Sequence, residues 1–470
     1  MVVSHMVPAH SLNASAARLR TRQRSGLLCE FGARQQALTR LDGAIRRAET
    51  EIIDALTRDF RKPTFESYST EIAFIRGEIA QTQRHLKRWM RPRRASTPLF
   101  LQPATSRVEF EPWGSVLIIA PWNYPFQLAL APVISALAAG NTIMLKPSEL
   151  APHTATVIES IVAAAFPNGE VETAIGGAEV ARDLLDQQWD HIFFTGSTRV
   201  GRLVYQAAAK YLTPVVLELG GKSPCVVAAD AELKTTARRI VWGKCVNAGQ
   251  TCIAPDYVLV DNQIKDKLCT ALSHEIERAY GPSPLESEDY ASLISDNHFS
   301  RLAGFLKQGS KEGRIFSGGR SDPAGRRIEP TIIRDPSPES PIMQEEIFGP
   351  ILPVLGFDHI GEAESIIARN PNPLALYYFS RDRKAASRFL KRVPSGGAAI
   401  NDTVMQVGNT ALPFGGRGAS GVGLYHGRWG FESFSHKKGV FSQSLLLDPP
   451  LRYAPYSERQ LSIIRKVLGF

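Results

Sequence analysis

The chain contains 470 residues, of which 43% are hydrophobic and 21% are charged, and its formal net charge at pH 7 is +9. The length exceeds that of one ordinary domain and the composition is that of a folded globular protein, which excludes a largely disordered chain. The basic residues concentrate in the first hundred positions and carry no aromatic-interleaved binding motif. They therefore predict a solvated helix face and no nucleic-acid partner.

Cysteine usage and hydropathy narrow the class further. The five cysteines include no C-x-x-C pair and no metal-type His/Cys spacing, so we expect no metal site and a reducing, cytoplasmic compartment. The first thirty residues have the composition of an organelle transit segment, but their arginines run into a helical pattern, which favours a folded segment. The most apolar run, 126–139, is too short to span a bilayer, so the sequence predicts no integral membrane segment.

The first part of the chain has helical periodicity. It runs from residue 15 to about residue 94 and breaks near 61–63, which predicts several helices. Pro92, Pro98 and Pro103 then force an extended passage. Residues 100–112 alternate enough to form an exposed strand or hairpin, which can serve as a subunit-pairing arm.

The sequence pattern changes at Trp113, after which short apolar runs alternate with segments of helical periodicity. Strands are predicted at 114–120, 141–146, 171–175 and 191–195, and helices at 125–139, 151–166, 178–186 and 199–211. Such alternation indicates a doubly wound α/β architecture, with a parallel sheet covered on both faces. Ligands bind these sheets at the carboxyl ends of the strands, which here are followed by 121–125, 146–149 and 194–198.

Two of these strand ends have features of a nucleotide site. Gly196 to Gly201 places small residues where a strand turns into a helix, so backbone N–H groups can meet a pyrophosphate; the middle glycine of G-x-G-x-x-G is missing, and a plain tight turn fits equally. Lys146 and Glu149 follow the second strand. A carboxylate there would bind ribose hydroxyls and repel a 2′-phosphate, which favours NAD over NADP. An ordinary helix start at 148–149 is the alternative.

Two later residues are candidates for the chemistry. Glu218 interrupts an apolar strand, where desolvation would raise its pKa toward the range useful for a general base; a paired structural glutamate is the alternative. Cys252 ends the stretch 246–252 (VNAGQTC), whose small uncharged residues leave room for a substrate. By itself, this stretch fits a nucleophile and a buried structural cysteine equally well.

Six motifs together resemble those of the aldehyde dehydrogenase family, and they occur in the family's order. They are 121–125 (PWNYP), 194–197 (FTGS), 217–222 (LELGGK), 249–252 (GQTC), 346–350 (EIFGP) and 413–416 (PFGG). The separation between Glu218 and Cys252 is also the family's own. The short N-terminal region and the segments 425–427, 434–436 and 451–456 resemble the class 3 branch, whose members oxidise aromatic and medium to long aliphatic aldehydes.

The resemblance implies a fold of three parts. These are a cofactor domain with a five-stranded Rossmann-like sheet, an α/β catalytic domain and a β oligomerisation arm. The expected ranges are 1–92 with 113–220 for the NAD(P)-binding domain and its N-terminal helices, 93–112 with 431–440 for the arm, 221–417 for the catalytic domain and 441–470 for a C-terminal segment. Class 3 relatives are generally dimers, so we expect a homodimer.

The resemblance also implies a mechanism. Cys252 attacks an aldehyde as a thiolate, while the Asn123 amide and the Cys252 backbone N–H hold the oxyanion. Hydride then leaves for the nicotinamide, and Glu218 activates the water that hydrolyses the thioester. The expected cofactor contacts are Lys146, Glu149, Gly196, Ser197, Gly201, Glu346 and Phe348. NAD is the expected cofactor, and because class 3 relatives often accept NADP, the preference stays open.

Three positions depart from the family pattern. Cys245 stands where class 3 relatives usually carry an aromatic residue, and it either forms an inhibitory disulfide with Cys252 or only packs. Ala419 and Gln406 stand where relatives often have Asn and His. We expect both near the substrate mouth, so the substrate preference of relatives does not transfer in detail.

Three alternative functions compete with this interpretation. A CoA-acylating aldehyde dehydrogenase characteristically lacks the water-activating acid, so Glu218 argues against it. A cysteine hydrolase needs a histidine base beside Cys252, and none of the ten histidines falls in such a motif. A non-catalytic binding protein has no reason to keep Asn123, Glu218 and Cys252 together.

Overall fold

Three sheets of three or more strands organise the chain in the computed structural model, which describes residues 9–448 and 450–468. The strands are β1 Arg93–Ala95, β2 Ala104–Pro112, β3 Ser115–Ile119, β4 Thr142–Lys146, β5 Val171–Thr173, β6 His191–Thr195, β7 Val215–Glu218, β8 Pro224–Val227, β9 Tyr257–Asp261, β10 Ile315–Ser317, β11 Ser321–Asp322, β12 Arg327–Ile328, β13 Thr331–Arg334, β14 Ile351–Phe357, β15 Ala375–Phe379, β16 Gly397–Ile400, β17 Gly421–Val422 and β18 Ser435–Gln443.

Helices occur along the whole described chain, and several of them cover the faces of the two larger sheets. They are α1 Ala9–Arg24, α2 Phe31–Arg47, α3 Glu49–Phe60, α4 Thr64–Glu66, α5 Ala73–Trp89, α6 Gln127–Ala139, α7 Pro152–Ala165, α8 Ala178–Leu185, α9 Thr198–Ala209, α10 Leu233–Cys245, α11 Lys265–Tyr280, α12 Asp296–Lys311, α13 Pro341–Gln344, α14 Ile360–Ala368, α15 Arg383–Arg392, α16 Gly427–Ser433 and α17 Glu458–Leu468. Within the described residues, no helix combines the length and the apolar character needed to cross a membrane.

The first sheet has the order β17-β7-β6-β3-β4-β5. The four pairings that join its five strands from β7 to β5 are parallel, and only the two-residue edge strand β17 is antiparallel. Strands β3 and β4 are buried at every position because helices pack on both faces. The predicted doubly wound α/β fold is therefore confirmed. The five parallel strands match the expected number, and β17 is an addition.

The second sheet has the order β10-β13-β14-β9-β8-β15-β16 and is parallel except for β10. The apolar run 328–333 has the pattern of one strand in the sequence, but it does not form one continuous strand. Pro330 lacks a backbone N–H, and the segment divides into β12 and β13, which join different sheets.

The third sheet is antiparallel and has the order β1-β2-β18. Strand β2 pairs with β18 along nine residues of each, from the Ala104–Gln443 pair to the Pro112–Ser435 pair. The range 431–440, predicted as the second part of the arm, thus starts too early, because Phe431 lies in α16, where it is buried. The predicted range also ends three residues before β18 does. Most side chains of β18 are exposed.

The N-terminal helices break where the sequence predicts. Helix α3 ends at Phe60, Arg61 adopts a left-handed conformation, and α4 starts at Thr64. A π-helical turn, Ser67–Ile72, separates α4 from α5. Such turns are rare and occur frequently at functional sites.

Candidate active site

Two cavities meet at the carboxyl ends of strands β6 and β7. One, of about 420 Å³, has an almost wholly apolar wall. The other, of about 250 Å³, has a more polar wall. The two walls share five residues: Leu128, Thr195, Glu218, Leu219 and Cys252. Two of the predicted catalytic residues, Cys252 and Glu218, therefore face both cavities.

Cys252 reaches this position through a sharp bend after helix α10. Asn247 and Ala248 adopt left-handed backbone angles, with φ of 55° and 52°, and the next turn closes with a hydrogen bond from the Ala254 N–H to the Thr251 carbonyl at 2.9 Å. Burial raises the pKa of the Cys252 thiol well above its ordinary value. Nearby carboxyl groups raise it further, and the backbone N–H groups of residues 252 and 253 act in the opposite direction.

Asn123 lies in the loop between β3 and α6 and lines the polar cavity. Its side chain is buried, and its Nδ2 donates to the Gln250 carbonyl at 3.0 Å. This bond uses one of the two N–H groups of the amide, so the other remains available to a ligand. The Gln250 contact also ties Asn123 directly to the chain that leads to Cys252.

Glu218 ends strand β7 and is 2% exposed. Neither of its carboxyl oxygens has a hydrogen-bond partner among the described residues. Burial raises the pKa of this carboxyl well above its ordinary value. The structural alternative of a paired glutamate is thus not supported, since no described cation or donor satisfies the group.

The polar cavity lies at the switch point of the first sheet, where strand order reverses between β3 and β6. Doubly wound sheets bind nucleotides at this point. Gly196 and Ser197 line the cavity, and the Ser197 hydroxyl caps helix α9 by accepting from the Val200 N–H at 3.4 Å. A Cβ atom at Gly201 would lie 2.6 Å from the Leu219 side chain, so any other residue there would require that side chain to move.

Glu346 and Phe348 reach the same cavity from the second half of the chain. Burial and the neighbouring Asp256 raise the pKa of Glu346 to about 8, although the Gly221 N–H bonds its carboxylate. Arg301 fixes this segment, because its guanidinium donates to the carbonyls of Glu346 at 3.2 Å and Ile347 at 2.6 Å. A switch-point cavity with a capped helix start and an acceptor carboxylate fits a dinucleotide.

Lys146 and Glu149 lie together at the end of the adjacent strand β4. The Lys146 Nζ donates to the Glu149 carboxylate at 2.8 Å, with the lysine buried and the glutamate exposed. The structure thus brings this predicted pair together, although neither residue forms part of the polar cavity wall.

Several wall residues of the polar cavity, among them Trp122, His298 and Arg301, were missed as site residues in the sequence. The Trp122 ring meets the edges of His298 and Phe348, with ring centres 5.6 and 5.3 Å apart. The His298 Nε2 lies 2.7 Å from the Phe348 carbonyl oxygen. Trp122 belongs to the motif at 121–125 and had a signal in the sequence, whereas no motif marks His298.

The apolar wall was not predicted either, because it comes from distant segments. Its large side chains are Phe65, Phe74, Tyr124, Trp242, Val246, Leu374, Val404, Met405, Val407, Phe414 and Tyr425. Three of them remain well exposed at the mouth: Phe65 at 78%, Met405 at 56% and Trp242 at 41%.

The three departures from the family pattern have different positions. Cys245 is buried in the catalytic core, all five cysteines are free, and burial raises the pKa of the Cys245 thiol to about 12, which favours the packing interpretation. The prediction for Ala419 is wrong, because its carbonyl accepts from Thr198 at the start of α9 and it does not line the apolar cavity. Gln406 lies in the chain between Met405 and Val407, which both line the apolar cavity. Its own side-chain amide donates to the Tyr377 hydroxyl at 3.1 Å.

Comparison with known proteins identifies the class. The model of the aldehyde dehydrogenase family matches residues 13–440, and the chain belongs to this family. It is an NAD(P)-dependent aldehyde dehydrogenase, an oxidoreductase that oxidises aldehydes. The predicted resemblance to the class 3 branch is confirmed. Aldehyde dehydrogenase family 3 member H1 of Arabidopsis thaliana is 43% identical over 421 residues, which cover 89% of this chain and 87% of that protein.

Particular relatives are similar over nearly their whole length. A 4,4'-diaponeurosporen-aldehyde dehydrogenase of Staphylococcus aureus is 45% identical over 427 residues, covering 91% of this chain and 93% of that one. A substrate-bound structure of S. aureus AldH has a TM-score of 0.94 and 41% identity, covering 98% of this chain and 100% of that chain. A P. syringae indole-3-acetaldehyde dehydrogenase in complex with NAD+ has a TM-score of 0.85 and 26% identity, covering 93% and 89%.

Proposed function

We propose that this enzyme oxidises a medium to long aliphatic or an aromatic aldehyde to the carboxylic acid, through a covalent thioester on Cys252. The observation that carries the proposal is the shared wall of the two cavities. Cys252 and Glu218 face an apolar cavity on one side and a polar, switch-point cavity on the other. A group in this position can bond a substrate held on the apolar side while a cofactor lies on the polar side.

The chemistry begins at Cys252. The thiol first releases its proton to solvent water; the thiolate then attacks the aldehyde carbon, and the negative charge moves to the carbonyl oxygen. The free N–H of the Asn123 amide and the Cys252 backbone N–H are proposed to bind that oxyanion. A neutral amide stabilises the developing charge without the attraction for a carboxylate product that a cation would add.

NAD(P)+, when bound in the polar cavity, supplies the acceptor for the hydride that leaves the tetrahedral carbon. Glu346, Phe348, Gly196, Ser197 and Gly201 are proposed to hold it. The carboxylate of Glu346 would accept from ribose hydroxyls, and the start of helix α9 would face the pyrophosphate.

Glu218 is proposed to complete the reaction. As a carboxylate, it would take a proton from water, and the resulting hydroxide would displace the Cys252 thiolate from the thioester carbon. The raised pKa of Glu218 supports this role, because a base with a pKa nearer to the working pH accepts a proton more readily. Its two unpaired oxygens leave room for the water.

The apolar cavity supports the proposed substrate class. Its volume of about 420 Å³ lies within the usual range for small-molecule sites, about 300–1,000 Å³. Its aromatic and aliphatic wall carries no described cation, so an uncharged hydrocarbon chain fits it better than an ionic substrate. The exposed rings at the mouth extend the apolar surface toward solvent.

NAD is proposed as the preferred cofactor. Lys146 and Glu149 would bind the adenine-side ribose, and the Glu149 carboxylate would repel a 2′-phosphate. The neighbouring lysine partly offsets this repulsion, because its Nζ lies 2.8 Å from the carboxylate.

The arm and the domain ranges complete the proposal. We propose that β1, β2 and β18 form the arm of a homodimer, that 1–92 and 113–220 bind the cofactor and that 221–417 forms the catalytic domain. A cytoplasmic location stays a prediction.

Absorbance at 340 nm tests the function. The purified enzyme would be given NAD or NADP with a series of aliphatic and aromatic aldehydes, in the presence and absence of CoA. We expect NADH formation that does not need CoA, with the highest kcat/KM for the longer or aromatic aldehydes and for NAD. Strict dependence on CoA would instead show an acylating enzyme, and absence of any reduction would remove the proposal.

A further inference from the structure

The bend before Cys252 is conformationally costly. Asn247, Ala248 and Gly249 are three successive residues with positive φ, at 55°, 52° and 76°. The left-handed region is unfavourable for a non-glycine residue, so two such residues in a row persist only where surrounding contacts hold them.

One of these contacts comes from a distant part of the chain. Glu66, the last residue of helix α4, accepts a hydrogen bond from the Asn247 backbone N–H at 2.9 Å. The Asn247 side chain then donates to the Asn123 carbonyl at 2.7 Å and to the Gln250 carbonyl at 3.2 Å. Asn123 donates to the same Gln250 carbonyl. Glu66 is therefore connected, through Asn247, both to the loop that carries Asn123 and to the segment that leads to Cys252.

The residues around Glu66 contact the same two loops. The Glu71 carboxylate accepts from the N–H groups of Phe126 and Gln127 at 3.0 and 2.9 Å, at the end of the loop that carries Asn123. Lys62, paired with Glu71 at 2.6 Å, lies 4.0 Å from the ring centre of Tyr124. Segment 62–71 therefore contacts both the loop that carries Asn123 and the bend before Cys252.

We propose that Glu66 is a positioning residue, which sets the Asn123 amide and the Cys252 thiol in place by holding the Asn247 backbone. It lines neither cavity, so it acts through Asn247 and not on the substrate. This inference rests on the roles proposed above for Asn123 and Cys252. Burial raises the pKa of Glu66 to about 7. The proposed role needs only an oxygen that accepts the Asn247 N–H, and a neutral side chain also provides one.

Two substitutions separate positioning from charge. Glu66→Ala removes the acceptor, and we expect kcat to fall about ten- to a hundredfold, because small misplacements of reacting groups cost up to about a hundredfold. The Kd for NAD should stay within about twofold, since the cofactor contacts lie elsewhere. Glu66→Gln keeps an acceptor oxygen at the same reach and should recover most of the kcat.

Asp190→Ala is the matched control. Its carboxylate also accepts a backbone N–H, that of Ser115 at 2.7 Å, at the opposite end of the strand that precedes the Asn123 loop. It should lower the Tm and leave the kcat of the folded enzyme unchanged. If Glu66→Ala does not fold, Glu66→Asp serves instead, because it keeps the charge but draws the acceptor back by one methylene.

The outcomes distinguish the two proposals. If Glu66→Ala loses only thermal stability, as Asp190→Ala does, or if Glu66→Gln is as slow as Glu66→Ala, the positioning role is overturned while the proposed function stands. If the wild-type enzyme forms no NADH, or if Asn123→Ala retains full kcat, the proposed function itself fails, whatever the behaviour of Glu66.

Discussion

The two cavities that meet at Cys252 are built from different parts of the chain. The polar cavity takes most of its wall from loops at the ends of neighbouring parallel strands, such as 121–123 and 195–197. The apolar cavity takes the part of its wall that the polar cavity does not share largely from the N-terminal helices, from α10 and from the 404–408 and 414–425 regions. The order of the parallel strands thus determines which residues line the polar cavity, whereas packing between segments that are distant in the chain determines much of the apolar wall. Chemistry and substrate choice can therefore be perturbed separately.

The largest effect is expected on the polar side, at Asn123. Asn123→Ala removes a proposed oxyanion donor, and loss of one such donor costs about a hundred- to a thousandfold in rate. We expect kcat to fall by that factor while the Kd for NAD, measured by fluorescence quenching, stays nearly unchanged. An effect confined to cofactor affinity would contradict the assignment.

The same contrast explains what the sequence could predict. Asn123 follows β3 and Glu218 ends β7, and parallel topology brings the carboxyl ends of such strands to one edge of the sheet, so their proximity was predictable. Cys252 precedes β9 of the second sheet, and only the resemblance of its motif to the family predicted its place beside them. The apolar wall has no comparable signal, because Phe65, Trp242 and Met405 belong to three separate elements with no common spacing. Ala419 was misplaced for the same reason, since it follows the 413–416 motif, which does not record which side of the site the next residues face.

The Glu66 contact was equally hidden in the sequence. It joins residues 66 and 247, which are 181 positions apart, and Glu66 lies directly before the π-helical turn. No local propensity specifies which distant backbone group a carboxylate at this position meets. Long-range polar contacts of this kind follow from the tertiary structure alone.

A smaller effect is expected at the apolar mouth. Trp242→Ser removes a large ring from the rim, and loss of about 1.4 kcal/mol of apolar contact corresponds to a tenfold change in affinity. We expect KM to rise about tenfold for long-chain aldehydes and to change little for short ones, with kcat preserved. Trp429→Ser is the matched control, because both rings are 41% exposed and Trp429 lies outside both cavities. Equal effects on short and long aldehydes would contradict a role in chain recognition.

The smallest effect is expected on the stability of the folded protein, at Glu78. Glu78 is buried, one of its carboxyl oxygens lacks a partner among the described residues, and burial raises its pKa to about 7 from an ordinary 4.5. Because the folded state holds the proton more tightly, its contribution to stability is full below pH 4.5 and is lost as pH rises through 7.

Glu78→Gln should remove that part of the pH dependence. We expect the wild-type free energy of unfolding to fall between pH 5 and pH 8 by on the order of 2 kcal/mol more than that of the variant. Urea unfolding at both pH values measures this difference, and the exposed Glu159→Gln, on α7, is the control. Parallel pH profiles for wild type and Glu78→Gln would refute the assignment.

The most direct test of the covalent mechanism is rapid-mixing kinetics of Glu218→Gln. If Glu218 activates the water that cleaves the thioester, hydride transfer still occurs once, so the variant should release a burst of about one NADH per active site and then turn over at least about a hundredfold more slowly than wild type. The acyl group should be found on Cys252 by mass spectrometry, and Cys252→Ser should show neither burst nor adduct. Unimpaired steady-state turnover of Glu218→Gln, with no burst and no adduct, would contradict the account.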